Sequence, residues 1–208
     1  GTSLARNNNR SQADEDSLVF EKVSFSYEDS QILHDISLNI KKGTINAITG
    51  ISGSGKSTFL ELASGLLSAE SGKIYAKSKP VLAQQNYNGA LFEAFVADDV
   101  AFGPKNLGLK GKALVEKVKE SMSIVGLPFD EFKDKQTFAL SGGERRKLAI
   151  AGILALDSDI IMFDEPTAAL DGPSKIKMME LFRQLANNGK TVIFSTHHPD
   201  EASFADRV

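Results

Sequence analysis

The chain contains no cysteine, which excludes a disulfide framework and any thiolate metal site; a reducing compartment suits this absence without being required by it. Long apolar runs are missing as well. Nothing approaches the roughly 18 residues of a membrane span, and the longest wholly apolar stretch near the candidate chemistry, Ile160 to Phe163, is of strand length, so a soluble chain is expected. Charge of one sign is also lacking. Lys plus Arg number 24 against 27 for Asp plus Glu, a net charge of -3, so no broad positive field gathers nucleic acid or anionic lipid, and nucleic acid is not an expected partner. Residues 1–17 have only Leu4 and two alanines as apolar members and cannot bury enough surface to order themselves. They read as a linker or cloning remnant, and not as a signal peptide, because the apolar central region is missing. No internal repeat or low-complexity tract is present beyond them, and 208 residues suit one domain, 18–208, with a subdomain at most.

What the chain does have is alternation, then helical spacing, then alternation again. Leu18 to Tyr27 and Ile36 to Ile40 place apolar residues at every second position (Val23, Phe25, Tyr27; Ile36, Leu38, Ile40), the period of half-buried strands, and both are assigned to an antiparallel portion. Lys41-Lys42-Gly43 turns the chain into a short strand, Ile45 to Thr49, followed by a glycine-rich loop and a helix from Ser57 to Leu67. Two short strands, Lys73 to Ala76 and Pro80 to Ala83, precede a helical region from about Asn86. There Val115, Val118, Met122 and Val125 make one apolar face of a helix from Lys112 to Val125, ended by Gly126 and Pro128. A second helix is expected from Ser141 to about Leu156, with Ser141 and Glu144 in capping-box spacing. Ile160 to Phe163 and Thr191 to Ser195 read as buried strands on either side of a helix, Ser174 to Ala186, with Met178, Leu181, Phe182 and Leu185 inward. This alternation predicts an α/β fold with a parallel sheet covered on both faces.

Four pieces carry chemistry. Gly50-Ile51-Ser52-Gly53-Ser54-Gly55-Lys56-Ser57-Thr58 fits the phosphate-loop pattern, in which glycines let successive backbone N–H groups converge on an anion and the adjoining helix adds its positive dipole end. Lys56 would reach the β and γ phosphates of ATP, and the Ser57 hydroxyl would be a Mg²⁺ ligand. The buried strand ending at Asp164 puts a carboxylate at the sheet's carboxyl edge, where Mg²⁺ needs oxygen ligands. Glu165, one residue on, is the candidate general base for an attacking water; a further magnesium-facing carboxylate or a solvated cap is the plainer alternative. His197 comes just after Thr191 to Ser195, at the same edge and within reach of a γ-phosphate, whereas His198 and His34 have no such support. Ser141-Gly142-Gly143-Glu144 opens a helix and suits either an oxyanion or an ordinary helix cap.

These residues resemble the ATP-binding cassette transporter ATPases along nearly the whole chain: Walker A at Gly50 to Thr58, the signature at Leu140 to Glu144, Walker B at Ile160 to Glu165, the D-loop Ala168-Ala169-Leu170-Asp171 and the switch histidine His197. The resemblance implies a P-loop NTPase, RecA-like core with an N-terminal antiparallel portion and an inserted helical subdomain at about 86–156. It implies two cassettes, identical or not, head to tail, with ATP and Mg²⁺ between the Walker A of one and Ser141, Gly142, Gly143 and Glu144 of the other. Tyr27 becomes the adenine-stacking aromatic, with a core tyrosine as the alternative. Either Gln84 or Gln85 could be the Q-loop residue touching Mg²⁺; Gln85 is preferred, because Gln85-Asn86, Phe92, Asp99 to Pro104 and Asn106 to Leu109 look like the ATPases of energy-coupling factor importers, including cobalt-type ones. Those importers take up vitamins or transition-metal ions such as cobalt or nickel. A transmembrane partner and a position on the cytoplasmic face of the membrane are implied by the same likeness.

The chain departs from that pattern at Tyr87, where proline is frequent, Glu144 for glutamine, Ala169 for glycine and His198 for aspartate. It ends at Ala205-Asp206-Arg207-Val208, where the family continues, so the family's C-terminal part is expected to be absent. Two rival classes differ from a transport motor. A cassette acting on DNA or ribosomes would need a basic face or a long coiled-coil insertion, and the stretch from Lys56 to Leu140 leaves no room for the latter. A degenerate cassette that holds nucleotide as a scaffold would not need both Glu165 and His197.

Overall fold

The computed structural model describes residues 16–83 and 91–208. The described residues form two compact units, one of those up to Pro80 together with Asp159–Val208 and one of those within Val81–Ser158. In the first unit, strands β1 (Asp16–Tyr27), β2 (Ser30–Lys41) and β4 (Ser71–Ala76) make an antiparallel sheet in the order β2-β1-β4, while β3 (Ile45–Thr49) runs parallel to β7 (Thr191–Thr196), which runs parallel to β6 (Ile160–Phe163). The expected α/β class holds, and so does the antiparallel portion. Strand β2 starts at Ser30, six residues before the alternation suggests, because Leu33 and Gln31 still pair with β1 beyond an irregular step in the register, where Asp35 has a positive φ of 48°.

Every residue of β6 and β7 is buried, so neither face of these strands meets water, which is why β6 reads as an unbroken apolar run and β7 has one from Val192 to Phe194. Helix α1 (Lys56–Ser64) comes after β3, and α6 (Gly172–Asn187) connects β6 to β7. Phe182 of α6 lies with its ring 4.7 Å from Phe163 of β6 and 5.4 Å from Phe194 of β7, while Phe59 of α1 stacks on Phe20 of β1 at 4.6 Å. Each such fully buried side chain stabilises the fold by about 1.5–3 kcal/mol. On α6 the inward set is Met178, Met179, Phe182 and Leu185. Leu181 is only half-buried and Met179 is buried instead, so the stripe centred on Met178, Phe182 and Leu185 widens on its other flank.

In the second unit β5 (Val81–Ala83) leads towards α2 (Val96–Asn106), α3 (Gly111–Ile124), the single turn α4 (Phe129–Phe132), a 3₁₀ turn at Thr137–Ala139 and α5 (Gly142–Ala155). Val118, Met122 and Val125 are buried as expected, but Val115 is 45% exposed: it falls in the first turns of α3, before that face meets its neighbours. Asp99, on α2, is buried and accepts the backbone N–H groups of Phe92 (2.6 Å) and Glu93 (3.0 Å). Burial pushes its carboxyl above the ordinary value, against the lowering effect of those two bonds. No helix among the described residues is long and apolar enough to cross a membrane.

Candidate active site

The register aligns the three parallel strands at their carboxyl ends: Thr49 is level with Thr196, and Phe163 with Phe194. The residue next after each strand therefore emerges at one edge, and those residues are Gly50, Asp164 and His197. Between β3 and α1 the loop folds around the Lys56 side chain, whose Nζ donates to the carbonyl oxygens of Gly50 (2.9 Å) and Ile51 (3.0 Å). Gly55, the residue before α1, has φ 89°, and a Cβ there would also lie 2.8 Å from Ile32, so only glycine fits. The first intrahelical bond runs from Phe59 N–H to the Gly55 carbonyl, and no side chain caps the helix. The amides of Lys56, Ser57 and Thr58 thus open onto the loop without an intrahelical acceptor, a cradle suited to an anion. Ile51, Ser52, Gly53 and Ser54 are exposed, as is Ser57.

Beyond β6, the Asp164 carboxylate accepts the Ser195 hydroxyl at 2.6 Å, and the same hydroxyl accepts Glu165 N–H at 2.8 Å. Ser195, from the neighbouring strand, thereby fixes both carboxylate residues. Glu165 has a positive φ of 45°, a conformation that costs a residue with a Cβ about 1–2 kcal/mol and that aims its side chain away from the strand direction. Its Oε1 lies 3.5 Å from His197 Nδ1. A cleft of about 710 Å³ runs from Thr49, Gly50 and Ser52 past His197 to Ala202 and Val208; Lys56, Asp164 and Glu165 do not line it. The His197 and His198 rings lie 4.0 Å apart. A larger cleft of about 990 Å³ lies on the antiparallel sheet around Lys22, Ser37 and Lys73, away from every residue singled out above for chemistry.

Tyr27, at the end of β1, is 46% exposed, which removes the core alternative. Its hydroxyl donates to Glu61 of α1 at 3.4 Å and its ring meets Phe25 edge-on at 4.9 Å. In the second unit the Ser141 side chain accepts Glu144 N–H (3.3 Å) while the Glu144 carboxylate accepts Ser141 N–H (2.8 Å), completing the expected capping box at the start of α5. The bond from Ser141 N–H holds the Glu144 carboxyl below its ordinary range. Gly142 and Gly143 have no left-handed backbone to require them, and a Cβ on either would meet nothing within 4 Å among the described residues. Gln85, with Gln84, lies outside the described residues.

Asp171 caps α6, accepting Ser174 N–H at 2.8 Å; Asp-Gly-Pro-Ser is a legible helix start that the reading of this segment as a D-loop passed over. Two other groups went unnoticed in the sequence. Ser195 is one. Glu201 is the other: it is buried, and its carboxylate gathers the side chains of Thr167, Thr196 and Lys175. Neither pattern is legible as a whole in the sequence, because Ser195 meets residues 30 and 31 positions away and Glu201 meets Thr167, 34 away, as well as the nearby Thr196.

A family profile described as "ABC transporter" matches residues 33–168. The chain belongs to the ABC transporter family. The cassette is 41% identical to the energy-coupling factor transporter ATP-binding protein EcfA2 of Lactococcus lactis subsp. cremoris, over 92% of this chain and 74% of that one, and 37% identical to its counterpart in Streptococcus pneumoniae, over 92% and 76%. Among solved structures it resembles cbiO1 of Clostridium perfringens, described as part of the ABC transporter complex cbiONQ, with a TM-score of 0.84 and 31% identity over 92% of this chain and 83% of that one. It also resembles an ATP-binding cassette solved as a dimer in a post-hydrolysis state with ADP and Pi, with a TM-score of 0.79 and 27% identity over 91% of each chain. The cassette therefore has the P-loop NTPase fold and is an ATPase whose hydrolysis is coupled to transport.

Proposed function

We propose that this chain is the motor of an energy-coupling factor importer carrying vitamins or transition-metal ions such as cobalt or nickel, seated on the cytoplasmic face of the membrane through a transmembrane partner and working as one of two cassettes. What carries the reading of the site is the shared edge: the Lys56 loop, the Asp164–Glu165 pair and His197 all come after the carboxyl ends of adjacent parallel strands, where α/β folds bind ligands. The triphosphate of ATP sits in the cradle of residues 50–58, with Lys56 on the β and γ phosphates and the exposed Tyr27 ring against adenine.

Among the described residues no cluster of three or more acidic or histidine side chains could hold a metal ion unaided, which suits Mg²⁺ bound by one carboxylate, a hydroxyl and the phosphates themselves. Asp164 and Ser57 would hold it, with Gln85 as a further candidate, and when bound it would neutralise phosphate charge. Glu165 takes the proton of the water whose oxygen attacks the γ-phosphorus as the bond to ADP breaks. His197, 3.5 Å from the Glu165 carboxylate, steadies that carboxylate and faces the γ-phosphate. The second cassette presents its own Ser141, Gly142, Gly143 and Glu144 to the same nucleotide, and Asp171 lies in the segment facing that partner. The helical subdomain, about 86–156, passes closure on to the membrane. The stacked and exposed Phe92 and Phe102, 5.1 Å apart, give it an apolar patch for that purpose. The energy-coupling factor names of the relatives support the transporter class.

The test is Glu165→Gln, with ATP binding and turnover measured separately. Binding survives and turnover falls by about two orders of magnitude or more. Equal turnover in the two proteins would overturn the assignment of the base, and nucleotide binding without turnover in the parent would leave a nucleotide-dependent scaffold as the better reading.

A further inference from the structure

We infer that Glu201 is a positioning residue for hydrolysis, a buried clamp that ties the segment after Glu165 to the segment carrying His197; this rests on the roles proposed above for those two residues. Glu201 sits on α7 (Pro199–Ala202), a helix of a single turn, and is 5% exposed. One carboxylate oxygen accepts the hydroxyls of Thr167 (2.7 Å) and Thr196 (2.6 Å), and the other accepts Lys175 Nζ (2.9 Å). Thr167 lies two residues beyond Glu165, and Thr196 immediately precedes His197. The Thr196 hydroxyl oxygen in turn accepts His198 N–H at 3.0 Å, so the backbone on both sides of His197 hangs from the same carboxylate. Lys175 lies in the first turn of α6, just past the turn through Ala169 and Asp171.

Packing alone does not account for this arrangement. A buried carboxylate is costly unless hydrogen-bonded and paired, and apolar replacements of buried ion pairs are often no less stable. A one-turn helix could be anchored by a leucine. The carboxylate instead supplies fixed acceptors, and each of its partners named here lies on a segment flanking the site. The distance it governs is the 3.5 Å between Glu165 Oε1 and His197 Nδ1, and displacing reacting groups by about 1 Å can cost on the order of 100-fold in rate.

The experiment compares Glu201→Gln, Thr196→Val and Thr196→Ser with the parent and with Glu165→Gln, all in the full-length protein assembled with its partners. Steady-state turnover gives kcat and KM, and a fluorescent ATP analogue gives nucleotide affinity. Expected are a kcat at least about tenfold lower in Glu201→Gln and Thr196→Val with nucleotide affinity within about twofold of the parent, and a kcat in Thr196→Ser within about twofold of the parent. If Glu201→Gln does not fold, the valine and serine pair decides. Parental kcat in Glu201→Gln and Thr196→Val, equal impairment of the serine and valine variants, or parallel loss of kcat and affinity would each overturn the inference. Parental turnover in Glu165→Gln would instead overturn the reading of the site beneath it.

Discussion

Alanine at Gly142 and Gly143 should separate what the chain needs for itself from what it keeps for a partner. Both glycines lie in the first turn of α5 without a left-handed backbone, and an added methyl meets nothing within 4 Å among the described residues. Glycine in a helix is less stable than alanine by about 0.5–1 kcal/mol, and at the first turn the gain lies towards the low end of that range. The double variant should therefore be more stable by about 1 kcal/mol in total, with the Ser141–Glu144 capping box intact. If the pair is kept bare so that a phosphate on the opposing cassette can approach, two methyl groups push that phosphate away by roughly 1 Å or more, and turnover should fall on the order of 100-fold. Urea unfolding reads the first effect and ATP hydrolysis at saturating nucleotide the second. Higher stability with undiminished turnover would refute the reasoning, since the glycines would then serve no approach at all. Lower stability would refute its structural half.

Asp99→Asn keeps an acceptor for Phe92 and Glu93 N–H and removes a charge that burial disfavours, so it should be at least as stable as the parent at pH 7, whereas Asp99→Ala should lose about 1–3 kcal/mol. Because the Asp99 carboxyl in the fold is raised above its ordinary 3.8, its burial penalty is relieved as pH falls through that raised value, and the advantage of asparagine in urea unfolding should shrink towards acid pH. Ala169 has φ 59°, and Ala169→Gly should raise the urea midpoint by the equivalent of about 0.5–1 kcal/mol, the backbone strain relieved less the added freedom of the unfolded chain. Burial alone would raise the Glu201 carboxyl, but the bonds from Thr196, Lys175 and Thr167 together outweigh it and hold the group below 4.5. Its contribution to stability is complete above that value and lost as pH falls through the depressed one, so acid unfolding of Glu201→Gln should be flatter than that of the parent below about pH 4.5.

Residues that meet their environment locally were legible. Strand β6 ends where its apolar run ends, because Asp164 cannot continue a strand buried on both faces. The α5 boundary is set by its capping box. Helix α2 has no clear signal of its own, since Gly103 and Pro104 sit inside it; Pro104 is accepted near the last turn, and a side chain at position 103 would strike Leu156 at 2.5 Å. The order of the chemical motifs carried the family: three of them are a short strand followed by its functional residues, and the fourth opens helix α5. What sequence spacing could not reveal is what long-range hydrogen bonds build: Ser195 beneath Asp164 and Glu165, 31 and 30 residues away, and the threonine pair on Glu201, of which Thr167 is 34 residues distant. Such pairs exist only once β6 and β7 lie side by side.

A loop around Lys56 that holds the phosphates of ATP should lose nucleotide when the lysine is removed. Titrating Mg-ATP into the parent and into Lys56→Ala by calorimetry tests it most directly, because among the described residues the lysine side chain bonds only to the Gly50 and Ile51 carbonyls and its loss leaves the rest of the fold in place. The parent should bind saturably, and the variant should lose at least about tenfold in affinity. Equal affinity in the two proteins, or no binding by the parent, would contradict this role of the loop.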